Sequence, residues 1–197
     1  MVAQRANTQD SEIAVTEVEA QSAVRTLLRF IDPDSNREGL RDTPARVVRA
    51  WDEFSAGYQI NPADILARDF GGGGYDEMIV CRNIEFSSTC EHHLLPFIGV
   101  AHVGYIPRSR VVGLSKLARL VDCYAKRLQI QEQMTQQIFN AIKTHLQPKG
   151  AAVVVVAKHL CMSCRGVQKQ KSEMVTCSLS GAFLKPQVRA EFMAHCK

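Results

Sequence analysis

The feature that most constrains the fold is a short apolar run rich in valine, Ala151 to Ala157. β-Branched residues favour strands, and the run is far shorter than the roughly 20 residues needed to cross a bilayer. We therefore predict a strand from Ala151 to about His159 in a soluble domain that is built around a sheet.

The rest of this domain has a regular order of predicted elements. Leucines and isoleucines recur at helical spacing in two segments, and β-branched and aromatic residues alternate with polar ones in others. The order strand, strand, helix, helix, strand, strand predicts an α+β fold in which an antiparallel sheet is backed by two helices. The predicted elements, with a short last helix, are Glu77–Thr89, about Ile98–Ile106, Ser115–Arg127, Gln131–Leu146, Ala151–His159, Met174–Phe183 and Pro186–His195.

The N-terminal part of the chain predicts helices without strands. After a frayed tail of about ten residues, one helix is expected from Ser11 to near Pro33, where proline prevents its continuation. A second is expected from Pro44 to about Ala56, after a start signal at Asp42-Thr43-Pro44 in which a capping side chain is followed by proline. The glycines at 71–74 predict a flexible joint. We therefore expect a tail and helical appendage over residues 1–70 and the main domain over residues 71–197.

Charge and cysteine content exclude several classes of protein. A net charge of +4 is small for 197 residues, which argues against bulk nucleic-acid binding but allows a local cationic pocket. The first twenty residues contain no apolar core of the kind found in a secretion signal. Seven cysteines, an odd number, are therefore expected to be reduced thiols or metal ligands. We expect a cytoplasmic protein with neither a nucleic-acid nor a membrane partner.

Two clusters of cysteine and histidine predict a metal site. Cys90 and His93 follow the first strand, and Cys161 and Cys164 follow the third, just after His159. Two strand ends in one sheet can bring these loops together. Either all four residues close a structural zinc site, or three of them bind and water takes the fourth position. The long separation along the chain and the nearby basic side chains favour the open site.

A collinear set of motifs covers most of the chain, from about Gly39 to Phe192. The set resembles the GTP cyclohydrolase I family, and its ordered series is far more specific than any single motif. Its members are Ser88-Thr89-Cys90-Glu91-His92-His93, Tyr105-Ile106-Pro107, Gly113-Leu114-Ser115-Lys116-Leu117, Gln131-Glu132, Thr135-Gln136-Gln137-Ile138, His159-x-Cys161 and Arg165-Gly166.

The resemblance implies a tunnelling fold (T-fold) that assembles into a homodecamer of two pentamers, with active sites at subunit boundaries. It implies Zn²⁺ held by Cys90, His93 and Cys161, with Cys164 left unbound. The implied reaction converts GTP to 7,8-dihydroneopterin triphosphate and formate, the first step of folate or tetrahydrobiopterin synthesis. Zinc lowers the pKa of a bound water to about 7, which suits an attack on the guanine ring.

The resemblance also implies roles for individual residues. His92 and His159 are expected to transfer protons, and Glu132, flanked by Gln131, to recognise guanine. The triphosphate is expected to meet Ser115, Lys116, Arg119 and Arg165, joined by Arg46 and Arg49 from a neighbouring subunit. Each role has a plainer alternative. Ser115 is also a suitable helix cap, the basic residues of the predicted helix are also suited to a solvated face, and Glu132 suits the first turn of a helix.

Three rival functions remain open at this stage. The first is a related tunnelling-fold enzyme, such as a pterin synthase or the nitrile reductase of queuosine synthesis, which lacks this pairing of motifs. The second is a zinc-stabilised assembly or regulatory subunit without activity, with a closed four-ligand site. The third is a cyclohydrolase that stops at an earlier, ring-opened or cyclic product.

Overall fold

The computed structural model of the chain describes residues 15–67, 69–71 and 74–197. It divides into two compact units, one up to Ser55 and one from Ala56 onwards. The predicted tail, the start of the helix expected from Ser11 and Gly72–Gly73 of the expected joint lie outside the described residues. The domain boundary expected at residue 70 stays a prediction.

The first unit contains two helices. α1 spans Glu17–Ile31 and α2 spans Thr43–Phe54, with a short 3₁₀ turn at Glu38–Leu40 between them. α1 begins later than expected because Thr16 forms a capping box with Glu19, which satisfies backbone N–H groups at the helix start. Asp42, the first residue of the predicted helix start, occupies the cap position of α2, but its side chain makes no capping hydrogen bond.

The second unit is built on a five-stranded sheet. Its long strands are β2 (Ile79–Cys90), β3 (Pro96–Ile106), β6 (Gly150–His159) and β7 (Met174–Gly181). The strand order is β5-β2-β3-β6-β7, where β5 is the short strand Leu128–Gln129. All neighbours pair antiparallel except β5, which runs parallel to β2. The predicted α+β fold with its mainly antiparallel sheet is confirmed.

Two helices cover one face of this sheet. α4 (Leu114–Ala125) contacts β2, and α5 (Gln131–Leu146) contacts β6 and β7. Their apolar stripes are buried, since burying such a stripe against a sheet removes it from water. The fully or almost fully buried residues of the two helices include Leu117, Leu120, Val121, Met134, Ile138 and Ile142.

The opposite face carries a smaller apolar cluster. Phe183 and Phe192 are fully buried there and meet edge to face, with ring centroids 5.4 Å apart. Phe192 belongs to α7, which spans Pro186–His195 as predicted. The cluster also contains Ala152 and Val154, whereas Val153 and Val155 face the larger core, so β6 is apolar on both sides. This explains the uninterrupted valine run, because a strand buried on both faces has no polar face.

The short elements were not predicted. They are α3 (Pro62–Leu66), the pair β1 (Asp69–Gly71) and β4 (Arg110–Val112), β5, and α6 (Leu160–Ser163). The observed bounds of β2, β3, α4 and β7 differ from the predicted ones by one or two residues. Within the described ranges, no helix has the length and apolarity that crossing a membrane requires.

Candidate metal centre and active site

The two motif loops lie together because of the strand directions. β2 and β6 both pair antiparallel with β3, so both end at the edge of the sheet where β3 begins. Thr89 at the end of β2 pairs with Pro96, and His159 at the end of β6 pairs with Phe97. The register therefore places Cys90 and Cys161, each just beyond these pairs, on either side of the first residues of β3.

The turn after β2 is tight and internally hydrogen-bonded. The Cys90 N–H donates to the Leu95 carbonyl, and the Leu94 N–H donates to the Cys90 carbonyl, both at 2.9 Å. Leu94 has a φ of 54°, a left-handed conformation that costs a non-glycine residue roughly 1–2 kcal/mol. The turn returns His93 towards Cys90, leaving its Nδ1 3.8 Å from the Cys90 Sγ.

Three candidate ligand atoms converge at this edge. Those of Cys90, His93 and Cys161 all lie within 4.8 Å of one another. Burial and the neighbouring Cys90 thiol raise the pKa of Cys161, while the Arg165 guanidinium opposes this rise. Two cysteines and one histidine form a donor set typical of zinc, because thiolates and imidazoles both bind this cation well. The residues present therefore fit a metal ion.

Cys164 does not join the cluster. Its side chain is exposed, and its thiol donates to the Leu160 carbonyl at 2.8 Å, one turn back in α6. The group of potential ligands in the described part of the chain contains Cys161 but not Cys164. This arrangement favours three protein ligands over four.

His159 lies beside the cluster and is held on two sides. Its ring stacks on Phe97, with centroids 4.7 Å apart and planes 1° from parallel. Its Nε2 lies 2.8 Å from the Gln131 Oε1. Burial lowers the pKa of His159, and the negative charge of Glu132 partly opposes this shift. The stacking on Phe97 and the hydrogen bond to Gln131 hold the ring in position beside the cluster.

A cavity of about 220 Å³ connects these groups. Its lining contains the three candidate ligands, both predicted proton carriers and both predicted guanine-binding residues: Cys90, His92, His93, Gln129, Ile130, Gln131, Glu132, His159 and Cys161. Glu132 is exposed in the first turn of α5, whereas Gln131 is only 1% exposed. His92 is exposed, and its Nε2 lies 3.8 Å from a carboxylate oxygen of Glu91.

The predicted triphosphate-binding residues of this unit lie outside the cavity lining. Ser115 and Arg119 are exposed on α4, Lys116 is half-buried there, and Arg165 is exposed just after α6. Ser115 is the second residue of α4, and Gly113 occupies the cap position instead. Of these four residues, Arg165 is the one whose charge acts on the cluster in the described structure, because it opposes the rise in the pKa of Cys161.

Arg46 and Arg49 belong to the first unit. Both are exposed on α2, one turn apart. The Arg46 guanidinium lies 3.8 Å from the carboxylate of Asp42, an exposed pair of the kind that contributes little to stability. This weak pairing leaves the Arg46 guanidinium able to bind an anion.

Sequence reasoning missed several residues of the site. Phe97 stacks against the His159 ring. Gln129 is buried in the cavity wall, where its amide donates to the Tyr124 carbonyl and to the Gln137 Oε1, each at 2.8 Å. Thr176 contacts Gln131 from β7. The alternation of residues in a strand predicts which face of the sheet a side chain occupies, but it does not predict which residue of the neighbouring strand lies beside it. No signal in the sequence therefore pointed to these contacts.

Comparison with known proteins identifies the family. The family model described as GTP cyclohydrolase I matches residues 20–197. The chain is also 51% identical over 190 residues to a protein of Wolinella succinogenes named GTP cyclohydrolase 1, with 96% of this chain and 99% of that protein covered. The chain belongs to the GTP cyclohydrolase I family.

Further relatives named GTP cyclohydrolase 1 support the same family assignment. A protein of Sinorhizobium fredii with the same name is 49% identical over 180 residues, covering 90% of this chain and 88% of its own. One from Allorhizobium ampelinum is 52% identical over 166 residues, covering 84% and 83%. The prediction of an enzyme of this family is therefore confirmed. So is the tunnelling fold, since membership agrees with the observed order of long strands and helices.

Among solved structures, the apo form of the archaeosine synthase QueF-Like matches with a TM-score of 0.44 and 19% identity. The match covers 53% of this chain and 94% of that one.

Proposed function

We propose that the protein converts GTP to 7,8-dihydroneopterin triphosphate and formate, and that the reaction depends on zinc. One observation carries the proposal: the candidate ligands Cys90, His93 and Cys161 border the same cavity as His159 and Glu132. Family membership and the names of the relatives support the substrate and the reaction class.

Cys90, His93 and Cys161 would hold the metal. When bound by three protein ligands, zinc supplies a Lewis acid that makes water acidic near neutral pH. This chain's own residues then bind the nucleotide around it, orient the guanine ring and move protons. The hydrogen bond from Cys164 to Leu160 supports its exclusion from the ligand set.

His92 and His159 are the proposed proton carriers. Imidazole is the side chain that both takes and returns a proton near neutral pH, as opening a purine ring requires. The two differ in freedom, since His159 is held by Phe97 and Gln131 whereas His92 is exposed beside Glu91. The held ring suits a transfer at one defined atom, and the exposed ring suits exchange with solvent.

Glu132 is the proposed guanine-recognition residue. A carboxylate accepts hydrogen bonds from both the N1–H and the exocyclic amine of guanine, and adenine offers no such pair. A site built for such hydrogen bonds rejects an analogue that lacks them by roughly 10⁴-fold or more. Gln131, also in the cavity wall, was predicted to assist, and this role stays a prediction.

The triphosphate carries about four negative charges and needs several hydrogen-bond donors, most of them cationic. Ser115, Lys116, Arg119 and Arg165 are the proposed donors of one subunit, and Arg46 and Arg49 those of a neighbouring one. Charge-assisted hydrogen bonds from arginine to phosphate are among the strongest in proteins. This part of the proposal requires an oligomer.

We infer a homodecamer of two pentamers in the cytoplasm, serving folate or tetrahydrobiopterin synthesis. Light scattering should give a particle with ten times the mass of the chain. A stable monomer with full activity would contradict both the assembly and the sharing of Arg46 and Arg49.

The deciding experiment is incubation of the purified protein with GTP. We expect equal amounts of formate and of a product with dihydropterin absorbance, and chelation should abolish both until zinc is restored. ATP is the matched control substrate and should remain intact. Full activity in metal-stripped protein would refute the zinc dependence, and accumulation of a ring-opened product would refute the proposed end point.

A further inference from the structure

The side-chain amide of Gln131 can adopt only one orientation. Its Nε2 lies 3.1 Å from the Val155 carbonyl oxygen, 3.0 Å from that of Met174 and 3.2 Å from the Thr176 Oγ1. Two of these partners are backbone carbonyls, which only accept hydrogen bonds. The group facing them must therefore be the NH₂, since an amide oxygen there would be repelled.

This orientation decides which atom faces His159. With its nitrogen directed at the two strands, Gln131 presents Oε1 to the His159 Nε2 at 2.8 Å. An amide oxygen carries no hydrogen, so the hydrogen of this bond must reside on Nε2. A half-turn of the ring would keep its stacking on Phe97 but would replace this hydrogen bond with a carbon contact.

The Gln131 side chain is itself firmly held. It is 1% exposed, and the Thr135 hydroxyl donates to its backbone carbonyl at 2.8 Å while lying 2.6 Å from the Thr176 hydroxyl. α5, β6 and β7 thus all contribute to its position. Turning this amide over would break its hydrogen bonds and leave buried polar groups without partners, which is unfavourable.

We infer that Gln131 is a positioning residue that holds His159 as the Nε2–H tautomer, so that Nδ1 is the ring atom that exchanges protons with the substrate. Among the described residues, none forms a hydrogen bond with this Nδ1. The bond to Oε1 persists in the neutral ring and in the cation, because Nε2 is protonated in both. The proton-exchange part of this inference rests on the proposed function, whereas the tautomer does not.

The tautomer can be measured directly by nitrogen NMR. The purified protein is labelled with ¹⁵N in its six histidine rings, and the His159 signals are assigned from their loss in a His159→Gln variant. We expect the neutral His159 ring to show a protonated Nε2 and an unprotonated Nδ1. A protonated Nδ1 with a bare Nε2 would overturn the inference, whatever the behaviour of any variant.

Replacement of Gln131 tests whether this residue determines the tautomer of His159. Gln131→Met keeps the length of the side chain but removes the acceptor, and we expect a mixture of the two tautomers. Thr176→Val is the matched control, since it removes one partner of Gln131 but leaves both carbonyls, and the tautomer should not change. An unchanged single tautomer in the folded Gln131→Met variant would refute the role of Gln131.

Turnover of GTP separates positioning from substrate binding. We expect Gln131→Met to lower kcat at least tenfold with little change in KM, because a wrong tautomer impairs proton transfer rather than binding. A raised KM with unchanged kcat would instead make Gln131 a substrate-binding residue. If the wild-type protein fails to convert GTP, the proposed function is refuted while the NMR result still decides the tautomer.

Discussion

At the scale of single residues, the site depends on neighbours that differ sharply in exposure. Cys90 is buried and Cys161 half-buried, whereas Cys164, only three residues further on, is exposed and bonded within its own helical turn. The same contrast separates the enclosed Gln131 from the exposed Glu132. Adjacent residues of similar chemistry therefore have different proposed roles, and substitutions can test each pair.

The two cysteines of the Cys-x-x-Cys sequence should respond differently to replacement by serine. Cys161→Ser removes a proposed ligand and should lower zinc affinity and activity by more than the roughly 100-fold that loss of an outer-shell partner causes. Cys164→Ser should leave both unchanged, because its thiol bonds only to Leu160 in the described structure. Zinc content by elemental analysis and formate release provide the measurements. Loss of zinc from Cys164→Ser would indicate a closed site with four ligands.

His102 should make stability depend on pH. It is 2% exposed on β3, and burial together with the Arg82 charge lowers its pKa below the ordinary value of 6.5. Below that value the unfolded chain binds a proton that the folded chain does not, so stability should fall as pH decreases from 6.5 and level off below the folded pKa.

The matched variant is His102→Asn. The asparagine Oδ1 can accept the Asn83 N–H, which lies 3.4 Å from the His102 Nδ1. Urea unfolding of both proteins between pH 5 and 8 should show that the free energy of unfolding decreases less steeply towards acid pH in the variant. The half-buried His159 also has a lowered pKa and contributes to the slope that remains. Identical slopes in the two proteins would contradict the assignment to His102.

At the scale of elements, β3 organises the site because it pairs with both strands that lead into the proposed ligands, β2 and β6. Its first residues lie between the ends of β2 and β6, and Phe97 supports His159 there. Two residues further on, Gly99 lies against the backbone of β6. The spacing of these strands is therefore sensitive to any side chain at this position.

Gly99→Ala should destabilise the protein by about 1–3 kcal/mol, as overpacking of a closed interior does. An added Cβ would overlap the Val156 carbonyl oxygen and lie 2.7 Å from the Ala157 Cα. Gly39→Ala is the control, because a Cβ there would have no neighbour within 4 Å. Denaturant unfolding monitored by circular dichroism measures both, and equal stability of the two variants would refute the close approach.

α1 offers a local test of capping. Thr16→Ala removes the hydroxyl that accepts the Glu19 N–H at 3.3 Å and should cost about 1 kcal/mol. No residue of α1 is buried, so the loss should appear as faster amide exchange within α1 rather than as a lower melting temperature. Thr26→Ala, a change to a better helix former within the same helix, should slow exchange or leave it unchanged. Equal exchange rates in the two variants would count against the capping box.

At the scale of the whole molecule, the residues that we propose for substrate binding and catalysis are distributed over the two units. The candidate metal centre belongs to the second unit, whereas Arg46 and Arg49 belong to the first. We propose that these arginines serve the site of a neighbouring subunit. Symmetric oligomers commonly place functional sites at such repeated interfaces, since each copy then donates and receives the same groups.

Mixed oligomers test this sharing. Arg46→Ala and His159→Gln should each have low activity as homo-oligomers. In oligomers assembled from equal amounts of the two, about a quarter of the sites should combine an intact His159 with an intact Arg46 from its neighbour. Recovered GTP turnover supports the sharing. The absence of recovery would mean that Arg46 acts within its own subunit, and full activity of Arg46→Ala alone would remove it from the site.

The sequence by itself determined the elements with a strong internal period and the residues of the metal motif. α5 and α7 have their predicted bounds, and Cys90, His93 and Cys161 do meet. Helix periodicity and the spacing within each half of the motif are local features, because both depend on residues that are close together in the sequence. For the distant halves the sequence predicted only that two strand ends in one sheet can bring the loops together, and the pairing of β2 and β6 with β3 came from the structure.

Only the tertiary structure decided the partners across that edge. The pairing of Phe97 with His159, the two-stranded sheet of β1 and β4, and the parallel strand β5 all depend on register and chain closure. Gln131 is the clearest case, since the sequence predicts a polar residue near guanine and the structure encloses its amide between two strands. Periodicity and motif spacing in the sequence predict which face of an element is buried and which loops carry ligands. Which buried polar groups meet depends on the whole fold, because each of them needs a hydrogen-bond partner.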